Sequence, residues 1–204
     1  MKEPNNTPTP DVTLFVDPSC PFAWITSRWL LEVMAKGAAT VRMELVSLSV
    51  INEGRELDDW YREFNDQAWG PARVAAALQS RTGSFDSFYD AYGRMRHVEG
   101  RRDTRAMVTD ALRVAGLDAG LDAAADDPSW DAVLRARTRL ALEPVGEDVG
   151  TPIIHVEGEA FFGPVLTGIP RGQDAVDIFD AVVRLSRHRQ FVEYKRGRGD
   201  LETS

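Results

Sequence analysis

A single cysteine, Cys20, is the residue of this sequence best suited to covalent chemistry. It stands between an apolar run that predicts a strand, residues 12–16, and a segment that predicts a helix, residues 22–36. At such a junction a side chain faces the unpaired N–H groups of the helix and the positive end of its dipole. That environment favours the thiolate, the nucleophilic form of cysteine. We therefore expect a reactive Cys20 with a lowered pKa; a buried cysteine that packs as a small apolar side chain is the alternative.

The residues next to Cys20 fit the same junction. Pro21 suits the first turn of a helix, where its missing N–H leaves no hydrogen bond unmade. Asp17 lies three residues before the cysteine, and its negative charge would raise the pKa of the thiol. Because the chain holds one cysteine, an internal disulfide and a cysteine-based zinc site are excluded.

The elements around this junction predict a mixed α/β fold. The first strand, its helix and an alternating strand at 41–45 form a βαβ unit whose strands run parallel. The strand signal then disappears from residue 53 to about residue 141, where helical patterns follow one another. Strand signals return in two short segments, and a last helix follows them: residues 153–156, 160–162 and 174–187.

Turn and capping residues divide the helical stretch. Gly70-Pro71 predicts a break between a helix over 57–69 and another over 72–81. Three capping residues open the helices that follow. These are Ser84, Asp103 and Asp127, which begin helices expected over 85–97, 104–115 and 129–142.

The order of elements, β-α-β, then helices, then β-β-α, matches a thioredoxin-like core with an all-helical insertion after the second strand. The predicted division is a core of residues 11–52 and 145–192, an insertion (lid) at 53–144, and fraying tails at 1–10 and 193–204.

A thioredoxin-like core carries its reactive cysteine at the first strand-to-helix turn and a cis-proline before the strand that follows the crossover. Thr151-Pro152 stands at that point, where an ordinary trans proline that opens a strand is the alternative. A cis bond would bring the Thr151 backbone beside Cys20, where it could pair with a bound thiol or peptide.

Five motifs in order resemble one protein family. They are Asp17-Pro18-Ser19-Cys20-Pro21, Trp24-Ile25-Thr26-Ser27-Arg28-Trp29, Ala68-Trp69-Gly70-Pro71, Gly146-Glu147-Asp148-Val149-Gly150-Thr151-Pro152 and Phe161-Phe162-Gly163-Pro164-Val165-Leu166. Over residues 14–198 the sequence resembles the actinobacterial DsbA-like family named for mycothiol-dependent nitroreductases. The resemblance implies a thioredoxin fold with a helical insertion over the active site and mycothiol, or another small thiol, as reductant. A homodimer is the expected assembly, since related proteins form dimers.

The strand-to-helix turn, the proline loop and the resemblance together give the expected site. Cys20 is the expected catalytic residue, and the thiol and substrate are expected to contact Pro21, Phe22, Ala23, Trp24, Asn52, His97, Thr151 and Pro152. For the aromatic side chains of Phe22 and Trp24, packing in the core is the alternative. Asn52 matches a family position that faces the cysteine, and a turn residue is the alternative. His97 matches a histidine of the insertion, and a surface or cap residue is the alternative.

One departure from the family pattern leaves three functions open. The active members carry Cys-Pro-x-Cys, whereas this chain carries Cys20-Pro21-Phe22-Ala23. The favoured function is a monothiol oxidoreductase, in which Cys20 forms a mixed disulfide with mycothiol and a second mycothiol resolves it. The alternatives are a thiol-dependent enzyme that resembles kappa-class glutathione transferases and hydroxychromene carboxylate isomerases, and a non-catalytic thiol-binding protein.

Composition restricts the partners. The 204 residues carry a net charge of −8, which argues against non-specific nucleic-acid binding. No apolar run is long enough to span a bilayer, and residues 1–10 are polar, so we expect a cytoplasmic protein without a membrane partner. The three histidines are dispersed without ligand spacing, so no metal site is expected. A nucleotide cofactor is not expected either.

Overall fold

A four-stranded sheet lies at the centre of the computed structural model, which describes residues 9–197 and 199–204. Its strand order is β2-β1-β3-β4. The strands are β1 (Asp11–Val16), β2 (Thr40–Leu45), β3 (Ile153–Val156) and β4 (Glu159–Phe162). As predicted, β1 and β2 are parallel, while β3 runs antiparallel to both β1 and β4. Glu157 and Gly158 form the β3–β4 turn with φ values of 52° and 83°, as a type I′ hairpin requires.

Helices fill the chain between β2 and β3 and flank the sheet. The α-helices are α1 (Pro21–Ala35), α2 (Leu48–Ile51), α3 (Asp59–Thr82), α4 (Asp86–Gly93), α5 (Thr104–Val114), α6 (Asp131–Leu142) and α7 (Gly172–Ser186). A π-helical turn, Arg94–Val98, follows α4, and two 3₁₀ segments, Ala119–Asp126 and Pro128–Trp130, precede α6. The predicted β-α-β, helical and β-β-α order is therefore confirmed. The residue numbers proposed for the boundary between core and insertion stay a prediction.

Helix α1 carries the cysteine turn into the core. Ile25, Trp29 and Val33 recur at spacings of four and are completely buried, as the apolar face of a packed helix requires. The indole Nε1 of Trp29 donates a hydrogen bond of 2.9 Å to the carbonyl oxygen of Ala175 and so joins α1 to α7. These contacts fix the direction in which the first turn of α1 points.

The predicted break at Gly70-Pro71 is wrong, because α3 continues through both residues. A proline inside a helix removes one backbone hydrogen bond and costs about 3 kcal/mol. Here Pro71 is buried, and the next turns of α3 lie in the hydrophobic core. Arg73 also pairs with Asp131 of α6 at 2.7 Å. Burial and this ion pair offset the loss of the backbone hydrogen bond at Pro71. Helix propensity, which depends on neighbouring residues alone, takes neither contribution into account.

Two further expectations needed correction. The predicted 85–97 helix is α-helical only to Gly93 and continues as the π-helical turn, and the predicted 129–142 helix begins with a 3₁₀ turn. The expected cap at Asp103 is confirmed, since its Oδ1 accepts from Ala106 N at 3.0 Å.

The predicted C-terminal tail makes contacts with the rest of the fold. Glu202 N donates to the carbonyl oxygen of Thr167 at 2.7 Å, and Thr203 bonds to helix α1. Residues 1–8 of the other predicted tail lie outside the described residues. Among the helices that the structure describes, none is long and apolar enough to cross a membrane.

Candidate active site

Cys20 caps the N-terminus of α1. Its backbone is extended, with φ −80° and ψ 116°, and its Sγ accepts a hydrogen bond of 3.4 Å from Ala23 N. The thiol donates to the carbonyl oxygen of Thr151 at 3.5 Å. Only 4% of the residue is exposed. The structure therefore places Cys20, Ala23 and Thr151 together, although 131 positions separate Cys20 from Thr151 in the sequence.

The expectation of a lowered pKa for Cys20 is wrong. Burial raises the pKa of the thiol to about 11, and the nearby Asp17 carboxylate adds to the rise. The nearby Thr151 side chain and the Ala23 N–H lower the pKa, but by less than burial raises it. Removing a charged sulfur from water outweighs the helix N-terminus, so the enclosed Cys20 is a protonated thiol at neutral pH.

Asp17 organises the turn below the cysteine. Its side chain is completely buried; Oδ1 accepts from Ser19 N and Oδ2 from Leu48 N, both at 2.7 Å. Burial raises the pKa of Asp17 to about 6, although both N–H groups favour the carboxylate. The carboxylate thus ties the cysteine turn to α2. The sequence pointed to Asp17 only as an opposing charge, because Leu48 is distant along the chain.

Trp24 lies one helical turn after Cys20 and contacts residues of the insertion. Its ring is 2% exposed and stacks on His97 with the centroids 5.8 Å apart. The Arg28 guanidinium lies 4.2 Å from the ring centroid, and Tyr89 of α4 packs at 6.0 Å. The indole therefore joins the core helix to the insertion.

Gly93 permits this contact. A Cβ at position 93 would lie 2.3 Å from Cζ3 of Trp24, which no side chain can accept. The sequence reasoning missed both Gly93 and Tyr89, since a glycine or tyrosine inside a helical pattern gives no local sign of a partner 60 to 70 positions away.

His97, from the π-helical turn, reaches the cysteine turn directly. Its Nε2 lies 3.0 Å from the carbonyl oxygen of Pro18. Burial lowers the pKa of His97 to about 4, so the ring is neutral near pH 7. A neutral ring that contacts a carbonyl oxygen through Nε2 carries its proton on that nitrogen. His97 therefore holds the insertion against the residues that precede Cys20.

The peptide bond between Thr151 and Pro152 is cis, and so is the bond between Gly163 and Pro164, which the sequence analysis did not anticipate. The carbonyl oxygen of Pro152 accepts from Gly163 N at 2.8 Å. The Oγ1 of Thr151 is buried without a hydrogen-bonding partner in the described structure. Thr151 thus presents both its carbonyl oxygen and a hydroxyl near Cys20.

Not every predicted site residue lies at the thiol. Pro21 is the first residue of α1, Phe22 packs partly buried against the core, and Ala23 is completely buried. Asn52 bonds to Leu48 O at 2.9 Å and to Asn65 Oδ1 at 3.0 Å. In the described part of the chain, no hydrogen bond joins Asn52 to Cys20. Its assignment as a thiol-binding residue stays a prediction.

Metal ligation finds no support in the geometry. Among residues 9–197 and 199–204, no group of three or more His, Cys, Asp or Glu side chains is placed to hold a metal ion. Cys20 is a free thiol in this structure. The Cys20 sulfur has two backbone partners, Ala23 N and the carbonyl oxygen of Thr151.

The sequence matches a known family over residues 19–196, described as Rv2466c-like, mycothiol-dependent nitroreductase Rv2466c. It is also 31% identical over 190 residues to the uncharacterised protein Rv2286c of Mycobacterium tuberculosis, which covers 91% of this chain and 81% of that protein. The chain belongs to the Rv2466c-like family. By class, it is a thiol-dependent oxidoreductase, and the predicted family is confirmed.

Solved structures confirm the thioredoxin-like, DsbA-like fold of this family member. A probable DsbA oxidoreductase from Streptomyces coelicolor superposes with a TM-score of 0.58 at 16% identity, over 92% of this chain and 94% of that one. A 2-hydroxychromene-2-carboxylate isomerase gives a TM-score of 0.60 at 12% identity, over 88% and 98%. The cytosolic disulfide reductase DsbM from Pseudomonas aeruginosa gives 0.55 at 16% identity, over 85% and 99%.

Proposed function

We propose that this family member is a monothiol oxidoreductase that exchanges Cys20 with the disulfide of a small thiol, mycothiol. The observation that carries the proposal is the placement of the Cys20 sulfur between Ala23 N and the carbonyl oxygen of Thr151. In this arrangement a helix N-terminus faces the sulfur that attacks, and alanine occupies the position of a second cysteine. The family name supports mycothiol as the thiol.

The chemistry that follows is a pair of exchanges. The Cys20 thiol, protonated while enclosed, first loses its proton to solvent. The thiolate then attacks one sulfur of the incoming disulfide; a bond to Cys20 forms, the original S–S bond breaks, and the other sulfur leaves as a thiolate that takes up a proton. A second small thiol then attacks the mixed disulfide and releases the Cys20 thiol. Because no second cysteine competes, the mixed disulfide persists until that thiol arrives.

The residues present fit a small thiol. The unpartnered Oγ1 of Thr151 offers a donor, and the carbonyl oxygen of Thr151 accepts from Cys20. Unpaired polar groups in a buried position are costly, and a bound thiol with polar substituents would satisfy them. The buried Trp24 ring supplies an apolar wall beside them.

A second function is favoured by the protonation state of Cys20. A thiol whose pKa burial raises to about 11 is a hydrogen-bond donor near pH 7. Such a donor could stabilise the thiolate of a bound small thiol and leave the reaction to that thiolate, as in the transferase and isomerase alternative. In that case Cys20 would form no covalent adduct.

Intact-mass measurement separates the two functions. Incubating the protein with oxidised mycothiol should add one mycothiol to the wild type and none to Cys20→Ser. Reduced mycothiol should then remove the adduct. An unmodified wild type that nevertheless binds reduced mycothiol would favour the donor role. Protein that neither reacts with mycothiol nor binds it would contradict both functions.

Assembly, location and other partners stay predictions of the sequence. We propose a cytoplasmic protein that acts on small disulfide or other electrophilic substrates without nucleic acid or membrane partners. A homodimer remains the expected assembly, and sedimentation or light scattering at two concentrations would test it.

A further inference from the structure

Thr203 bonds to both sides of the candidate active site. Its carbonyl oxygen accepts a hydrogen bond of 3.0 Å from Trp24 Nε1, in the core helix α1. Its Oγ1 donates one of 2.7 Å to the carbonyl oxygen of His97, in the insertion. The same residue therefore joins helix α1 to the insertion beside the Trp24 indole.

A second contact holds the neighbouring residue. Glu202 N donates to the carbonyl oxygen of Thr167 at 2.7 Å, and the Glu202 side chain lies against Gly168. A Cβ at position 168 would sit 3.4 Å from Glu202 Oε2. Residues 201–204 are thus bound at three points, although the sequence predicts a fraying tail there.

Both partners of Thr203, Trp24 and His97, belong to the surroundings of Cys20. Trp24 N donates to the carbonyl oxygen of Cys20 at 3.0 Å, and His97 contacts Pro18 on the other side of the cysteine. A side chain one helical turn away lies on the same face of the helix. Only 4% of Cys20 is exposed while residues 201–204 occupy this position.

The groups that hold residues 201–204 recognise a definite chemistry. The Trp24 indole N–H donates to a carbonyl oxygen. The carbonyl oxygens of His97 and Thr167 accept from a hydroxyl and from an N–H, respectively. A small thiol that carries an amide and hydroxyl groups presents the same set. The family match ends at residue 196, so residues 201–204 fall beyond it.

We propose that residues 201–204 are an internal ligand, which binds to Trp24, His97 and Thr167 and restricts access to Cys20. A small thiol bearing an amide and hydroxyl groups displaces them before it reaches Cys20. The identity of this thiol rests on the proposed function, whereas the cover over Cys20 does not. The thiol binds only those molecules in which residues 201–204 are displaced. Its apparent affinity is therefore the intrinsic affinity multiplied by the fraction of such molecules.

Two measurements on a variant that ends at Asp200 test this proposal. The first is the rate of Cys20 alkylation by iodoacetamide, which needs no mycothiol; we expect it to rise about tenfold. The second is calorimetric binding of reduced mycothiol to the same shortened chain with Cys20→Ser, compared with full-length Cys20→Ser. The shortened form should bind about tenfold more tightly.

Matched threonine variants remove one hydroxyl each. Thr203→Val deletes the hydrogen bond to His97 and should raise the alkylation rate about threefold. Thr109→Val deletes an exposed hydroxyl on α5 that bonds to Arg105 O at 3.4 Å, and it should leave the rate unchanged. Circular dichroism and thermal unfolding confirm that each variant is folded.

The outcomes separate the two proposals. An unchanged alkylation rate in the shortened chain overturns the internal ligand, and so does equal mycothiol affinity with and without residues 201–204. Faster alkylation with no mycothiol binding in either form supports a displaceable cover over Cys20 and contradicts mycothiol as its ligand. In that case it is the proposed function that fails.

Discussion

The two sides of the candidate site are built in different ways. The core side, residues 17–23, follows local rules: a strand ends, a cysteine caps the next helix, and a proline opens it. The insertion side depends on contacts across the chain, where Gly93 admits the Trp24 ring and His97 reaches Pro18. A reactive group can thus be placed by its neighbours in sequence, while its environment is supplied from elsewhere.

Burial shifts the pKa values of the titratable residues on the two sides in opposite directions. Burial raises the pKa of Asp17 from 3.8 to about 6 on the core side and lowers the pKa of His97 from 6.5 to about 4 on the insertion side. The contribution of Asp17 to stability is present below pH 3.8 and lost as the pH rises through 6. That of His97 is present above pH 6.5 and lost as the pH falls through 4.

The largest expected effect comes from uncoupling these two groups. In the wild type, the gain in unfolding free energy that His97 contributes as the pH rises offsets the loss that Asp17 contributes. His97→Gln removes the gain. Between pH 4 and pH 6.5, the unfolding free energy of this variant should therefore fall by about 3 kcal/mol relative to that of the wild type. Asp17→Asn should show the reverse slope. Urea titrations at several pH values measure both. Parallel wild-type and variant profiles would show that these side chains are not buried as described.

Cys20 itself provides the next test. Because burial raises its pKa to about 11, the rate of alkylation by iodoacetamide should keep rising above pH 9, with a midpoint near 11. At pH 8 the thiolate fraction would be about a hundredfold below that of a free cysteine. The same reagent on urea-unfolded protein is the control. A midpoint at or below 8.5, the approximate value for a free thiol, would contradict the buried environment.

Gly93→Ala tests the contact between the two sides. The added methyl group would overlap the Trp24 ring, which should cost about 2 kcal/mol of unfolding free energy. Gly70→Ala is the matched control, since its Cβ would lie 3.5 Å from Ala125 Cβ, an ordinary contact. In α3 this control should be neutral or slightly stabilising. Equal melting temperatures for the two variants would show that α4 does not press on the indole.

The smallest expected change in stability belongs to Ala23→Cys, which restores a second thiol on the core side alone. Ala23 N lies 3.4 Å from the Cys20 sulfur, so the two thiols would meet within one helical turn. Oxidation should give an intramolecular disulfide and prevent accumulation of the mycothiol adduct. Mass spectrometry after alkylation counts the remaining thiols. Two alkylated cysteines after oxidation would refute the placement of this turn.

Much of the core side could be predicted because its determinants are local. The apolar run of β1, the proline at the first turn of α1 and the βαβ spacing specify the turn that carries Cys20. The same is true of Thr151-Pro152, whose position before β3 is evident from the strand pattern. Hydrophobic period and turn residues act over a few positions, and a single sequence displays them directly.

The tertiary structure decided the properties that depend on enclosure. The pKa of Cys20 rises because the thiol is removed from water, and no local pattern measures that burial. The continuation of α3 through Pro71 depends on packing against other elements. The binding of Thr203 beside Trp24 joins residues 179 positions apart. Local sequence is enough to identify the sulfur that is able to react. Its surroundings follow only from the folded chain, because desolvation and long-range contacts arise when distant segments meet.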